Sequence, residues 1–371
     1  MRVTDVQLRD FRNYGRAAVS VGEGLTVIAG LNGAGKTNLL EAVYFGCVGR
    51  SPRTNNEREL VRAGAGVARV TVNTIEDNGT SHRLEAGLEP GTAKVLRVDG
   101  ASVDSLSRTP ARPLVSVFLP ERLELVKGPP AARRAHLDSF VAALWPARRE
   151  ARMAYSRALS QRNALLARIR AGVSSPATLV TWDAELAEWG MRLMADRSEA
   201  VALLARRFSE LATLLGLADE GTLEYRPRSR APDAGALAAE LAERHAADLE
   251  RGFTAHGPHR DDIRLSHGGR SLRRYGSQGE QRVSLLALLF AERDVLRDQR
   301  GRTPLMLLDD VMSELDASRR LLLADLVREG GQSLLTTTEA DHVPGARDCG
   351  VRLIEVEAGV ATALAEGAGR T

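Results

Sequence analysis

The octapeptide Gly30-Leu31-Asn32-Gly33-Ala34-Gly35-Lys36-Thr37 limits what this chain can fold into more than any other stretch. It matches the P-loop pattern GxxxxGK(S/T). It also lies where that pattern has mechanical meaning, after the apolar run LTVIAG and before NLLEAVYFG, whose apolar residues recur at helical spacing. Strand, glycine loop and helix in that order let backbone N–H groups turn inward around phosphate oxygens, and the helix N-terminus adds partial positive charge. The loop from Gly30 to Asn38 is the expected nucleotide cradle. Lys36 is expected on the β- and γ-phosphates of a nucleotide and the Thr37 hydroxyl on Mg²⁺, so a nucleoside triphosphate and Mg²⁺ are the expected ligands.

Such a site also needs a carboxylate at the end of a neighbouring buried strand. Leu305-Met306-Leu307-Leu308-Asp309-Asp310 supplies two acids after an apolar run. Asp309 is expected to bind Mg²⁺ through water, and Asp310 to orient or deprotonate the attacking water. Asp309 follows Thr37 by 272 residues, so a large module must be inserted between the two halves of one site.

The segments VTDVQL, AAVSV, LTVIAG, VARVTVNT and SHRLEAGLE read as strands. Asn78-Gly79 marks a hairpin whose two central residues would need positive φ, and Val98-Asp99-Gly100 marks another turn. Abundant Ala, Leu, Arg and Glu with few breakers predict helices over 131–144, 147–170 and 177–217. A helix of roughly 40 residues would reach about 60 Å, which suits a projecting arm. Pro227 and Pro232 mark a linker before a short helix over 234–251, and DDIRLSHGGRSL reads as a hairpin. The strand PLMLLDD, a helix over 321–328, and the strands QSLLTTT and VRLIEVEAG follow, an order that implies parallel pairing. The expected fold class is α/β, a P-loop head of mixed sheet and helices with an inserted α-helical lobe. Residues 1–130 and 251–371 are assigned to the head and 131–250 to the lobe.

Composition narrows the partners. The longest apolar run, Val283–Ala291, is too short to cross a bilayer, and there is no signal-like N-terminal stretch. Only Cys47 and Cys349 occur, without CxxC spacing, so the chain reads as cytoplasmic and reduced, with no membrane partner. A net charge of +3 permits nucleic acid without demanding it. Lys127, Arg133 and Arg134 flank a probable helix start, where cations oppose the dipole and an external anion would compensate them. DNA phosphate is the candidate, with Arg149 on the next helix beside Arg148, Arg152 and Arg157. Aromatic residues form 4% of the chain, too few for base stacking, so backbone contacts with little sequence preference are expected. His256-Gly257-Pro258-His259-Arg260-Asp261-Asp262 reads as a fixed turn rather than a zinc site.

The loop Ser277-Gln278-Gly279-Glu280-Gln281 opens directly into a hydrophobic helix, placing Ser277 and free amides where an anion could bind. With the P-loop and LLDD it resembles the Ser-x-Gly-x-Gln signature of SMC-like ABC-type ATPase heads. FRNY at Phe11–Tyr14, GAGKTNLLEAVY at Gly33–Tyr44, LPERLELVKGPPAARRAHLD at Leu119–Asp138, GPHRDD at Gly257–Asp262 and LLDDVMSELD at Leu307–Asp316 make the chain similar to the RecF family of bacterial recombination mediators.

That resemblance implies a homodimer closing on two ATPs, with Ser277, Gly279 and Gln281 reaching the γ-phosphate held by a second copy. It also implies DNA binding, slow ATP hydrolysis, and work in DNA repair, replication restart and the SOS response, alongside RecR and RecO in loading RecA at gaps. Asp316 matches the D-loop acid. Asp310 stands where glutamate is usual, and Glu121 stands in the Q-loop segment. Thr338 is the chosen candidate for the switch position in Thr336-Thr337-Thr338, and Arg12, with Arg9, Phe11 and Tyr14, is expected to flank the adenine. An ABC subunit driving a transporter or a nuclease is the alternative.

Overall fold

A computed structural model describes residues 1–313 and 315–364. β1 (Arg2–Phe11), β2 (Tyr14–Ser20) and β3 (Leu25–Ala29) open the chain and lead into α1 (Lys36–Val48). β4 (Ala68–Ile75), β5 (Ser81–Leu88), β6 (Val95–Val98), β7 (Ala101–Ser102) and β8 (Val115–Phe118) follow. Next come α2 (Glu124–Lys127), α3 (Pro130–Leu144), α4 (Arg149–Arg170), α5 (Leu179–Leu214), β9 (Gly221–Arg226), α6 (Ala234–Ala242) and α7 (His245–Arg251). β10 (Asp262–His267), β11 (Arg270–Ser271), α8 (Leu272–Tyr275) and α9 (Gln278–Arg300) precede β12 (Leu305–Leu308), α10 (Ala317–Arg328), β13 (Ser333–Thr337), β14 (Arg352–Glu357) and β15 (Val360–Ala363).

Two compact units form, one from Met1–Arg122 with Leu296–Thr371, the other from Leu123–Val295. The first holds two six-stranded sheets. One runs β2-β1-β4-β5-β6-β7 and is antiparallel; the other runs β15-β14-β3-β13-β12-β8 and is parallel except at β15. β3, β12 and β13 are buried at every residue, the pattern of central parallel strands covered on both faces. β4 instead alternates buried residues with exposed or half-buried ones, and its buried side joins α1 in a core containing Phe11, Tyr14, Leu40, Phe45 and Val72.

The β4–β5 connection departs from the two-residue turn expected of Asn78-Gly79. Glu76 N bonds Thr80 O and Gly79 N bonds Glu76 O, so the longer loop needs positive φ only at Gly79. Asp99 and Gly100 take positive φ together, in the two-residue turn between β6 and β7.

In the second unit, α5 is a spine of 36 residues, about 54 Å long, with buried residues from Leu179 to Ala212. It packs on α4, α6, α3 and β9, which corrects the expectation of a projecting arm: its apolar face is covered along its length. β9 was missed in the sequence because Pro227 and Pro232 give its surroundings a linker composition; it pairs with β10 in a β11-β10-β9 sheet. The helix expected over 234–251 is broken into α6 and α7. The division also differs from the expected one. The unit begins at Leu123 and extends to Val295, so the signature loop and most of its helix fold with the helical lobe rather than with residues 296–371.

The HGPHRDD segment is a largely buried turn that several elements bond to, with Arg260 exposed. Tyr155 Oη and His259 Nδ1 lie 2.7 Å apart, and His259 Nε2 lies 2.9 Å from the Thr254 carbonyl. Burial pushes the His259 pKa down to about 4, which keeps the ring neutral. Asp261 is fully buried, receiving Tyr225 Oη and the Arg228 amide, and Arg197 reaches both Asp261 and Asp138.

Candidate nucleotide site and signature loop

β3 ends at Ala29, so the chain leaves its sheet at the carboxyl edge of parallel strands, where open α/β sheets bind ligands. The loop runs into α1, whose N-terminus has no side-chain cap and no acid in its first turn. Its amides and dipole make an anion seat. Gly35 holds φ +122°, and a Cβ there would meet Asn13 Nδ2 at 2.6 Å, so glycine is required. The β1–β2 turn grips the loop from outside: Asn13 Nδ2 donates to the Ala34 carbonyl at 3.0 Å and Tyr14 Oη to the Gly35 carbonyl at 2.9 Å. The Gly359 amide, from the β14–β15 turn, also donates to Ala34 O at 2.9 Å. Lys36 Nζ folds back on the carbonyls of Gly30 (2.7 Å) and Leu31 (3.0 Å). Burial lowers the pKa of its ammonium, against the pull of Asp309 and Asp310.

β12 brings Asp309 to the same edge. Thr37 Oγ1 lies 2.9 Å from both Asp309 oxygens. Thr336 Oγ1, on β13, donates to Asp309 Oδ1 at 2.7 Å and accepts from the Asp310 amide at 2.9 Å. Asp309 is 5% exposed, and burial raises its carboxyl above the usual range despite the Thr336 and Thr37 hydroxyls. A desolvated carboxylate against a hydroxyl is a donor pair that a hard cation takes, and it fits Mg²⁺, which fills its remaining positions with phosphate and water oxygens. Among the described residues no group of three or more His, Cys, Asp or Glu forms a separate metal cluster. Asp310 takes φ +49°, a left-handed conformation that Asp tolerates better than most residues.

The sequence reading missed Asn13, Glu41 and Arg53, and within Thr336-Thr337-Thr338 it chose the wrong threonine for contact with the acids. Thr338, its choice, is half-buried just past β13, while the bonds to the acid pair come from Thr336. Arg12, expected at the adenine, has Nε and Nη2 each 2.8 Å from the carboxylate of Glu41, and Nη1 2.8 Å from Glu59 O. Fully buried Glu41 also accepts from Ser51 at 2.6 Å and Arg53 at 3.2 Å. Arg53 reaches Asn38 Oδ1 at 3.1 Å and Glu121 Oε1 at 3.2 Å. Arg12, Asn38 and Glu121 thus belong to one ionic network against α1.

The signature loop is not open in the way expected. Ser277 Oγ accepts from the Glu280 amide at 3.2 Å, and Glu280 Oε2 accepts from the Ser277 amide at 2.7 Å, forming a capping box. The spacing Ser-x-x-Glu was the available signal for it. Gln281 Nε2 braces the loop on the carbonyls of Leu272 (3.0 Å) and Gly276 (3.1 Å), while a Cβ at Gly279 would meet open space. Asp316 caps α10 through the Arg319 amide at 2.9 Å; Glu314 of the same phrase lies outside the described residues.

One expected DNA contact is corrected. Arg133 is buried and pairs with Asp262 at 2.7 and 3.0 Å, so the anion that offsets its charge comes from within the fold. Arg134 is half-buried and donates to Asp261 O at 2.7 Å. Lys127 and Arg157 are exposed, and Arg149 is half-exposed at the start of α4.

Comparison with known proteins agrees with this arrangement. The family model described as RecF/RecN/SMC N terminal domain matches residues 2–362. The DNA replication and repair protein RecF of Myxococcus xanthus is 39% identical over 358 residues, 93% of each chain. That of Symbiobacterium thermophilum is 36% identical over 353 residues, 92% of this chain and 93% of its own. The solved recombination mediator RecF bound to ATP superposes with a TM-score of 0.84 at 28% identity, covering 98% of this chain and 97% of that one. An SMC head bound to the winged-helix domain of ScpA shares the fold, with a TM-score of 0.60 and 17% identity, over 98% and 97% of the two chains. With the phosphate loop, its acid pair and the signature in place across nearly the whole length, the chain belongs to the RecF family.

Proposed function

We propose that this protein is an ATP-switched DNA-binding ATPase of recombinational repair and replication restart. It binds Mg²⁺–ATP at Gly30–Asn38, pairs with a second copy across the nucleotide, and hydrolyses ATP slowly. The observation that carries the reading is the meeting of Thr37, Asp309 and Thr336 beside an uncapped helix N-terminus. The relatives' names, DNA replication and repair protein and recombination mediator of the RecFOR pathway, support the cellular setting, with RecR and RecO as partners.

In this reading Lys36 leaves the Gly30 and Leu31 carbonyls for the β- and γ-phosphates, and the loop amides take further charge. Thr37 and Asp309 would hold Mg²⁺, which when bound polarises phosphoryl oxygens. Asp310 orients or deprotonates the attacking water, and Thr336 fixes both acids. Asp310 is one methylene shorter than glutamate, so turnover is slow and ATP times a clamp. Ser277, Gly279 and the α9 N-terminus meet the γ-phosphate of a second copy, and Asp316 couples the two sites. Lys127, Arg134 and Arg149 contact DNA phosphates. Light scattering of wild type, Lys36→Arg and Ser277→Arg with ATP, Mg²⁺ and duplex DNA tests the reading. Wild type should double its mass, and Ser277→Arg should stay single with nucleotide bound. Normal pairing by Ser277→Arg removes the shared site.

A further inference from the structure

Glu280 is held at three points. Its Oε2 accepts the Ser277 amide at 2.7 Å, its own amide donates to Ser277 Oγ at 3.2 Å, and its Oε1 lies 3.2 Å from His267 Nδ1. His267 Nε2 accepts the Asp219 amide at 2.9 Å, so the neutral ring carries its proton on Nδ1 and donates it to Glu280. The carboxylate therefore sits at the positive end of α9 on the Ser277 amide, and the Glu280 amide takes the Ser277 hydroxyl; both lie at the loop that the shared-site reading assigns to an incoming γ-phosphate. Two anions cannot share that seat without strong repulsion.

We propose that Glu280 is a built-in lock on pairing: it fills the anion seat of the signature loop in the single molecule and must swing aside before triphosphate held by a second copy can enter. The proposal rests on the shared-site reading and adds to it a residue that sets the nucleotide threshold for dimer formation. His267, buried to 14% exposure, is the latch that steadies the carboxylate.

Glu280→Gln is the decisive variant. Glutamine also serves at the third position of a capping box, so the helix start is retained while the charge is removed. With saturating non-hydrolysable ATP analogue and Mg²⁺, dimer dissociation constants are measured by sedimentation for wild type, Glu280→Gln and Ser277→Arg. Removing one charge at a helix end should ease each site about threefold, and a symmetric pair has two sites, so pairing should tighten about tenfold. The gain should collapse near 1 M salt, where the screening length is about 3 Å. Unchanged or weaker pairing of Glu280→Gln, or a gain that persists at high salt, overturns the lock and leaves the shared site standing. A wild type that never pairs, or pairing unaffected by Ser277→Arg, overturns the shared site and the lock together.

Discussion

Replacing Thr336 with valine keeps the shape of the side chain on β13 and deletes one hydroxyl that makes two hydrogen bonds, one buried and one half-buried. Asp309 Oδ1 loses a donor at 2.7 Å, and the Asp310 amide loses its acceptor at 2.9 Å. A hydrogen bond to a charged group contributes about 1.5–3 kcal/mol, and one from a half-buried amide about 0.5–1.5 kcal/mol. Both losses come from one hydroxyl and overlap, so the first unit should lose about 3 kcal/mol. A second effect falls on the metal. With one donor fewer, the Asp309 carboxyl rises further, and its protonated form cannot hold a cation. Removing the hydrogen bond that orients a metal-holding carboxylate should cost about tenfold in Mg²⁺-dependent ATP affinity. ATP affinity without Mg²⁺, set by the loop amides and Lys36, should change little. Thermal unfolding and calorimetric titration of ATP with Mg²⁺ or with chelator measure both effects. Thr336→Ser should recover most of the loss, and Thr338→Val should change neither quantity. If Thr336→Val melts with the wild type and binds Mg²⁺–ATP as tightly, the hydroxyl does not organise the acid pair and the reasoning fails.

The raised Asp309 carboxyl sets a pH dependence. In the ligand-free fold its protonated form is favoured, so its contribution to stability is present at low pH and fades as pH rises through the raised value. Mg²⁺ needs the carboxylate, so the Mg²⁺–ATP increment in melting temperature should shrink as pH falls toward the raised value, before the usual aspartate range is reached; an increment that holds down to that range would contradict the burial argument. Glu41→Gln leaves the guanidinium groups of Arg12 and Arg53 without their shared counterion and should cost about 3–5 kcal/mol, read by denaturant unfolding. Arg133→Ala should destabilise the second unit without changing the salt slope of DNA binding, whereas Arg149→Glu with Arg157→Glu should weaken binding to all sequences alike and flatten that slope. The reverse pattern would place DNA elsewhere.

The features legible from the sequence are those fixed by local spacing. Glycines before Lys36 and an apolar run before Asp309 each declare a strand end, and Thr37 meets Asp309 at 2.9 Å across a separation of 272 positions. Partners set by distant chain segments were not legible. Arg133 resembles a surface cation until Asp262, 129 residues on, appears beside it. Thr336 and Thr338 look alike on paper, and only the registration of β13 against β12 decides which one faces the acids. The capping box is readable as Ser-x-x-Glu, but the family signature over the same residues marks Ser277, Gly279 and Gln281 and passes over Glu280.

In its sheet β3 stands between β13 and β14, with Leu25 opposite Ser333 and Thr26 opposite Arg352. A ribosome therefore finishes the glycine loop and its apolar strand long before either flanking strand has been made. Through most of synthesis both edges of that strand are bare, a state prone to sticking to other chains. Cellular ATP cannot rescue it then, because the aspartate that completes the pocket also emerges late. Until its last strands are made, any shielding of the growing polypeptide has to come from something other than ligand.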